Sequence, residues 1–188
     1  DKLDLLVVVD PFPSATAAMA AMPGKAEDQN KAREVYLLPA CTQFETTGSV
    51  TASGRSLQWR EKVIEPLFES RTDHAIMLRF AQKWGFGDQL LGKRDGKQTI
   101  RTAPGAGGWE EPVIEDILAN EINRGTWTIG YTGQSPERLK LHMKHMGTFD
   151  VKTLRAKGGP CDGDYFGLPW PCYGTPEMKH PGSSNLYD

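Results

Sequence analysis

Leu5-Leu6-Val7-Val8-Val9 runs without a break into Asp10, and Pro11, Phe12, Pro13 and Ser14 follow at once. Five apolar residues in a row, three of them valine, predict a strand buried on both faces. Such strands belong to parallel sheets covered by helices. Two prolines forbid the strand from continuing past its carboxylate. Ser14 is a good N-cap for a small-residue helix over Ala15 to Met22. In open α/β sheets ligands sit beyond the carboxyl ends of the strands. Asp10 is thus placed to bind a ribose hydroxyl, and Ser14 lies where helix N–H groups face a phosphate. A strand-end Asp that only caps a turn fits this stretch equally well.

Pro23-Gly24 breaks the chain before a second strand, Glu34 to Leu38, which ends at Pro39. Strand, helix and strand in that order predict a right-handed parallel crossover. The loop from Ala40 to Arg55 then emerges on the same sheet edge as Asp10 and is a natural carrier of function. Trp59 to Glu65 reads as an amphipathic bridge stopped by Pro66. A helix follows with Thr72 or Asp73 near its start, and Gly85 is its C-cap. Its stripe of Ile76, Met77, Phe80, Ala81 and Trp84 is expected in the core. After a loop from Gly85 to Gly108, Pro112 opens a helix carrying Val113, Ile114, Ile117, Leu118 and Ile122 on one face. Ser135-Pro136-Glu137 starts another, lined by Leu139, Met143 and Met146 and ended by Gly147. From Gly158 onward the expectation is ordered irregular chain, held by burial of Tyr165, Phe166, Trp170 and Tyr173.

The fold class expected is therefore α/β: a partial parallel sheet with flanking helices in a Rossmann-like, dinucleotide-binding arrangement. A helical and irregular extension follows it. The boundary falls near residue 90, with residues 1–90 as the nucleotide-binding part and 91–188 as the extension toward a further domain. The opening at Asp1, without methionine or signal peptide, and the close at Asp188 suggest a piece cut from something larger. A net charge of −2 without a basic run gives nucleic acid no electrostatic foothold. The apolar runs are far too short to span a bilayer.

Several tempting motifs fail. Gly87 to Arg94 nearly spells a phosphate loop, but it lacks the final hydroxyl and follows a helix instead of a strand. His142 and His145 stand three apart on a helix with no third ligand evident, and read as a solvated face. Glu45 with Arg55 reads as a loop salt bridge before a catalytic pair, and His74 beside Asp73 is weak evidence for acid–base work. Cys41, Cys161 and Cys172 show no metal-ligand spacing and read as separate thiols, although a bond between Cys161 and Cys172 is conceivable. Asp73 gains interest beside Asp10. A carboxylate accepts the N1–H and N2–H donors of guanine together, so one aspartate on a ribose and one on a guanine describe a nucleotide edge. An N-cap role fits Asp73 as well.

Longer phrases point further. Tyr36-Leu37-Leu38-Pro39-Ala40-Cys41-Thr42-Gln43-Phe44-Glu45, the run Gly130 to Arg138 and the run Gly167 to Pro176 recur with a strand ending in Asp-Pro-aromatic-Pro-Ser. Together with Gly54-Arg55-x-x-Gln58 and Thr72-Asp73, they resemble the catalytic subunits of respiratory, periplasmic formate dehydrogenases in the molybdopterin oxidoreductase superfamily. The resemblance implies an internal segment of a much larger subunit. It implies two molybdopterin guanine dinucleotides around molybdenum or tungsten, and a 4Fe-4S cluster whose ligands lie outside this chain. It further implies formate as substrate, an iron–sulfur partner subunit, in some members a membrane cytochrome b subunit, and a periplasmic location with the export signal upstream. The metal ligand and the catalytic groups of the family have no counterpart here, so no catalytic or metal-binding residue is assigned.

By motif position the resemblance assigns Val9, Asp10 and Ser14 to one guanosine, Ala40 to the turn approaching the cofactor, and Asp73 to the same nucleotide. Thr46 falls where relatives often carry lysine, so a charge-assisted phosphate contact is expected to shrink to a hydroxyl or backbone bond. Ser14 replaces a commoner threonine. Two other readings compete: a stand-alone guanine-nucleotide-binding module without redox chemistry, and a subunit-interaction scaffold that docks through its aromatic tail. An intact native mass well above that of this chain separates the first reading from these two.

Overall fold

The computed structural model describes residues 4–18, 34–52, 56–93, 95–122 and 134–167. They form a mixed α/β structure with one parallel and two antiparallel strand pairs. Strands β1 (Leu5–Asp10) and β2 (Glu34–Pro39) lie parallel, Leu5 opposite Glu34 and Asp10 opposite Pro39. The prolines end both at the same level, because neither can extend the ladder. Just past that level a further pairing begins. The Ala40 N–H donates to the Asp10 carbonyl, and Ala40 pairs in parallel with Arg71. The Arg71 N–H donates to the Pro39 carbonyl at 3.0 Å, and the Cys41 N–H donates to the Arg71 carbonyl at 2.9 Å.

Burial of β1 on both faces is not found. Leu5 is 52% and Val7 40% exposed, and on β2 Tyr36 is 52% exposed. Two strands paired only with each other leave both faces of the pair without described cover, and hydrophobic sequence alone does not bury them. Ser14 does cap: its hydroxyl accepts from the Ala17 N–H at 3.3 Å, opening a short turn of 3-10 helix. The rest of the expected first helix lies outside the described residues.

The excursion between Ala40 and Arg71 contains an antiparallel hairpin, β3 (Gly48–Thr51) with β4 (Leu57–Arg60), where the sequence reading placed a loop and an amphipathic bridge. Leu57 and Trp59 alternate with Gln58 and Arg60, so one face of β4 is buried, at 5% and 3% exposure. Helix α1 (Asp73–Lys83) begins behind Thr72, whose hydroxyl accepts from the Ala75 N–H. It ends before Gly85, which takes the left-handed conformation at φ 81°. Its Ile76, Leu78 and Ala81 are buried, but Met77 and Trp84 are exposed, against expectation. Trp84 instead stacks between Phe80 and Phe86 along the helix surface.

A short helix α2 (Gly87–Leu90) leads to the hairpin β5 (Thr102–Pro104) with β6 (Glu110–Pro112). Pro112 closes β6 opposite Thr102 and does not open a helix. Helix α3 begins at Ile114 and widens at Ile117–Ile122 into a π-helical turn. Helix α4 (Pro136–Lys144) starts as the sequence predicts, with the Ser135 hydroxyl accepting from the Arg138 N–H and Pro136 in the first turn. It stops at Lys144, and Gly147 belongs to the 3-10 turn that follows.

Two apolar clusters hold these pieces. Leu57, Trp59, Leu118 and Leu139 form one, with Ile114 and Met143 against it. Leu78, Leu91 and Ile100 form the other, with Ile117 against it. α3 therefore feeds both clusters. Each fully buried leucine contributes roughly 1.5–3 kcal/mol by leaving water.

Candidate functional site

The carboxyl edge of β1 and β2 is where the pairing just described matters. Asp10, Ala40 and Arg71 stand side by side across three chain segments, and Thr72 and Asp73 follow directly. The fold thus brings Asp10, Ala40 and Asp73, widely spaced in sequence, to one edge. Asp10 accepts the Phe12 N–H on Oδ1 at 2.9 Å, so it does cap its turn, while Oδ2 takes no part in that bond. Because Thr72 supplies the cap of α1, Asp73 is not the N-cap. Its exposed carboxylate has no hydrogen-bond partner among the described residues. Val9 lies opposite Leu38, one register position inside the edge.

Beside this edge opens a cavity of about 580 Å³. Asp73 and His74 border it from α1, Thr46 to Ser49 and Arg60 from the β3–β4 hairpin, and Gly105, Ala106 and Glu111 from the β5–β6 hairpin. Ile114, Ile117 and Leu118 line it from α3. Thr46 and Asp73 therefore share a cavity. Val9, Asp10, Ser14 and Ala40 are not among its walls.

Glu45 is 3% exposed and binds three donors: the Thr42 N–H at 2.7 Å, the Leu67 N–H at 2.6 Å and the Ser70 hydroxyl at 3.1 Å. Burial alone pushes its carboxyl up, but the bonds from Leu67, Thr42 and Ser70 outweigh it and bring the pKa down to about 2. The carboxylate ties the start of the excursion to its end. Its expected partner Arg55 lies outside the described residues.

His142 was expected on a solvated face and is instead 1% exposed. It lies on the same side of α4 as Leu139, which explains its burial. Nδ1 accepts the Gly167 N–H at 3.1 Å, so in the neutral ring Nε2 carries the proton and donates to Asp164 at 3.0 Å. Gly167 in turn accepts the Leu57 N–H at 2.9 Å, and a side chain there would strike the Leu57 carbonyl. The histidine is a tether between α4, residues 164–167 and β4. Among the described residues no group of three or more His, Cys, Asp or Glu side chains is placed to hold a metal ion. Cys41 and Cys161 are buried thiols, and Cys172, Trp170 and Tyr173 lie outside the described residues. Phe166 is buried and Tyr165 half-buried.

No family model matches the chain. It is similar to formate dehydrogenase 2 subunit alpha (cytochrome c-553) of Nitratidesulfovibrio vulgaris, 41% identical over 35% of this chain and 6% of the relative. It is 35% identical to the major subunit of the nitrate-inducible formate dehydrogenase of Escherichia coli, over 40% of this chain and 8% of the relative. The alpha subunit of the F420-dependent formate dehydrogenase of Methanocaldococcus jannaschii is 28% identical over 79% of this chain and 17% of that subunit. The chain thus spans under a fifth of the length of these curated relatives. By these matches it is related to the alpha, or major, subunits of formate dehydrogenases and fits an internal segment of such an oxidoreductase.

Proposed function

We propose that this chain is the part of a formate dehydrogenase large subunit that holds the guanosine end of one molybdopterin guanine dinucleotide. The observation that carries this reading is the Ala40–Arg71 pairing, which sets Asp10, Ala40 and Asp73 on one carboxyl edge. The residues fit the group: Asp73 is a carboxylate without a partner among the described residues, next to a cavity of nucleotide size. It is suited to accept both donors of the guanine edge, and the second oxygen of Asp10 a ribose hydroxyl. Val9 and Ala40 offer backbone at the edge, Ser14 orients the turn behind Asp10, and Thr46 borders the cavity. When bound, the cofactor and its molybdenum or tungsten supply the redox chemistry of formate oxidation to carbon dioxide. This chain's residues bind and orient it.

In this reading residues 1–90 are the dinucleotide-binding part, completed to a Rossmann-like sheet by the rest of the subunit, and residues 91–188 extend toward a further domain. A 4Fe-4S cluster and the metal ligand come from outside the chain. The names "subunit alpha" and "major subunit" of the relatives support partner subunits, here an iron–sulfur subunit and in some assemblies a cytochrome b. A periplasmic location follows from the resemblance to periplasmic formate dehydrogenases. No helix among the described residues is long and apolar enough to cross a membrane.

The test is the guanosine content of the complete cofactor-loaded subunit, measured as GMP released by acid. Asp10→Ala and Asp73→Ala each leave donors of the cofactor unpaired and should weaken its hold about ten- to a hundredfold. Guanosine per polypeptide should fall by about half, since one of two dinucleotides is held here. Full content in both variants refutes the assignment.

A further inference from the structure

Past the end of β4 the chain turns its apolar side chains outward. Val63 is 74% and Phe68 98% exposed, and Ile64, Leu67 and the neighbouring Phe44 are exposed with them. The backbone beneath is tightly held. The N–H groups of Val63 and Ile64 both donate to the Phe44 carbonyl, that of Lys62 to the Thr47 hydroxyl, and that of Leu67 to Glu45. Phe68 takes φ 53°, in the left-handed region where Cβ crowds the backbone and bulky residues rarely settle. A ring standing wholly in water gains nothing among the described residues to offset that strain. Single exposed apolar side chains need no explanation, but a rigid group of them marks a contact surface.

A groove of about 690 Å³ lies beside this projection, and Phe44 and Val63 belong to both. Val50, Trp59 and Met143 complete its apolar lining, and Lys140 and Lys144 of α4 border it. Most charges around the two features are already paired. Lys140 meets Glu115 and Glu61, Lys62 meets Glu65, and Arg60 donates to the Thr46 hydroxyl. Lys144 on the groove and Glu69 on the projection have no partner among the described residues. One chain thus carries an apolar projection with a free anion and, next to it, an apolar groove with a free cation. Within the chain they do not meet, for Phe68 and Glu69 are not among the groove's walls. Two copies related by a two-fold axis make each such contact twice, and the pair closes on itself. We propose that this face binds a second copy of this chain: Leu67 and Phe68 seat in the other copy's groove, and Glu69 faces its Lys144. The inference is independent of the nucleotide reading.

The experiment is sedimentation equilibrium of the full chain at fixed ionic strength, with thermal unfolding as the check on folding. The unaltered chain should weigh twice its sequence mass and fall to the single mass on dilution. Phe68→Gly removes the ring and suits the left-handed backbone, so at dilutions where both are monomeric its thermal midpoint should not drop. Its dimer dissociation constant should rise at least about tenfold. Glu69→Lys and Lys144→Glu should each weaken association, and the double swap should restore it, because the charges pair again across the axis. A single mass for the unaltered chain at every concentration overturns the proposal and leaves this face to another part of a larger protein. Undiminished association of Phe68→Gly overturns it too, as does a double swap no tighter than the single variants. Open-ended larger species also overturn it, since a two-fold contact closes at two copies. If Phe68→Gly fails to fold, the charge swap decides alone.

Discussion

The β1–β2 pair and the assembly around β4 end differently, although β1 is the more apolar strand. Leu57 and Trp59 are sealed by Leu118, Leu139 and Met143, whereas Val7 and Leu5 face outward on a strand richer in hydrophobic residues. The contrast shows that burial is decided by what can be laid over a strand, and less by the strand itself. The assembly around β4 finds its cover within the described residues, and the candidate functional edge is carried by the pair that does not. For a segment of a larger subunit this is a sensible division. The packed half fixes the position of the hairpins, while the faces of the β1–β2 pair are without cover among the described residues.

Truncation separates the two regions most sharply. Trp59→Ala removes a buried indole and the ring under the Lys140 ammonium, and should cost about 3–5 kcal/mol in urea unfolding. Val7→Ala, on the exposed strand, should cost under about 1 kcal/mol. Comparable losses at the two sites would break the distinction.

The next effect lies at the neck between the regions. Glu45→Gln keeps the shape but loses the charge that three donors address, and should cost about 1–3 kcal/mol. Because the folded carboxyl is depressed from 4.5 to about 2, its contribution is complete above pH 4.5 and fades as pH falls toward 2. The variant should therefore lose less stability than the unaltered protein across that window. Parallel pH profiles would show that Glu45 clasps nothing.

The smallest effect is expected at His142, inside the packed half. Burial lowers its pKa below 6.5, helped by Arg138, and the Asp164 bond only partly opposes this. A histidine whose folded pKa is depressed stabilises fully above the unfolded value and loses its contribution as pH falls below 6.5. Nitrogen NMR should show a neutral ring with the proton on Nε2 at pH 7. A ring protonated at that pH would contradict the bond from Gly167 to Nδ1.

Local signals were the legible ones. Ser135-Pro136, Thr72 and Gly85 act through bonds within a turn, and the structure keeps all three. The edge joining Asp10, Ala40 and Asp73 could be anticipated from strand endings and crossover topology. What sequence reading missed depended on partners far along the chain. The β3–β4 hairpin hides in a stretch rich in Thr, Ser and Gly, and only the period-two alternation of Leu57 to Arg60 betrays it. His142 shares a helix side with Leu139, a clue to burial outweighed by the habit of reading paired histidines as solvated. The exposure of β1, Met77 and Trp84 carries no sequence signal, because exposure is decided by what packs against a strand or helix and not by its own residues.

The pairing of Ala40 with Arg71 has one more consequence. Ala40 and Arg71 face each other on one rung, yet the thirty residues between them leave the sheet and return to it. The ends of that detour are fixed by backbone bonds, and Glu45 buttons them together near the exit, bonding Thr42 on one side and Leu67 and Ser70 on the other. For a closed loop of this kind, each doubling of length costs only about 0.6 kcal/mol in closure entropy. The detour is thus a socket into which hairpins of other lengths can be fitted without shifting Asp10 or Asp73. Relatives can alter the wall of the cavity, and with it whatever group lies there, while the edge itself stays in place.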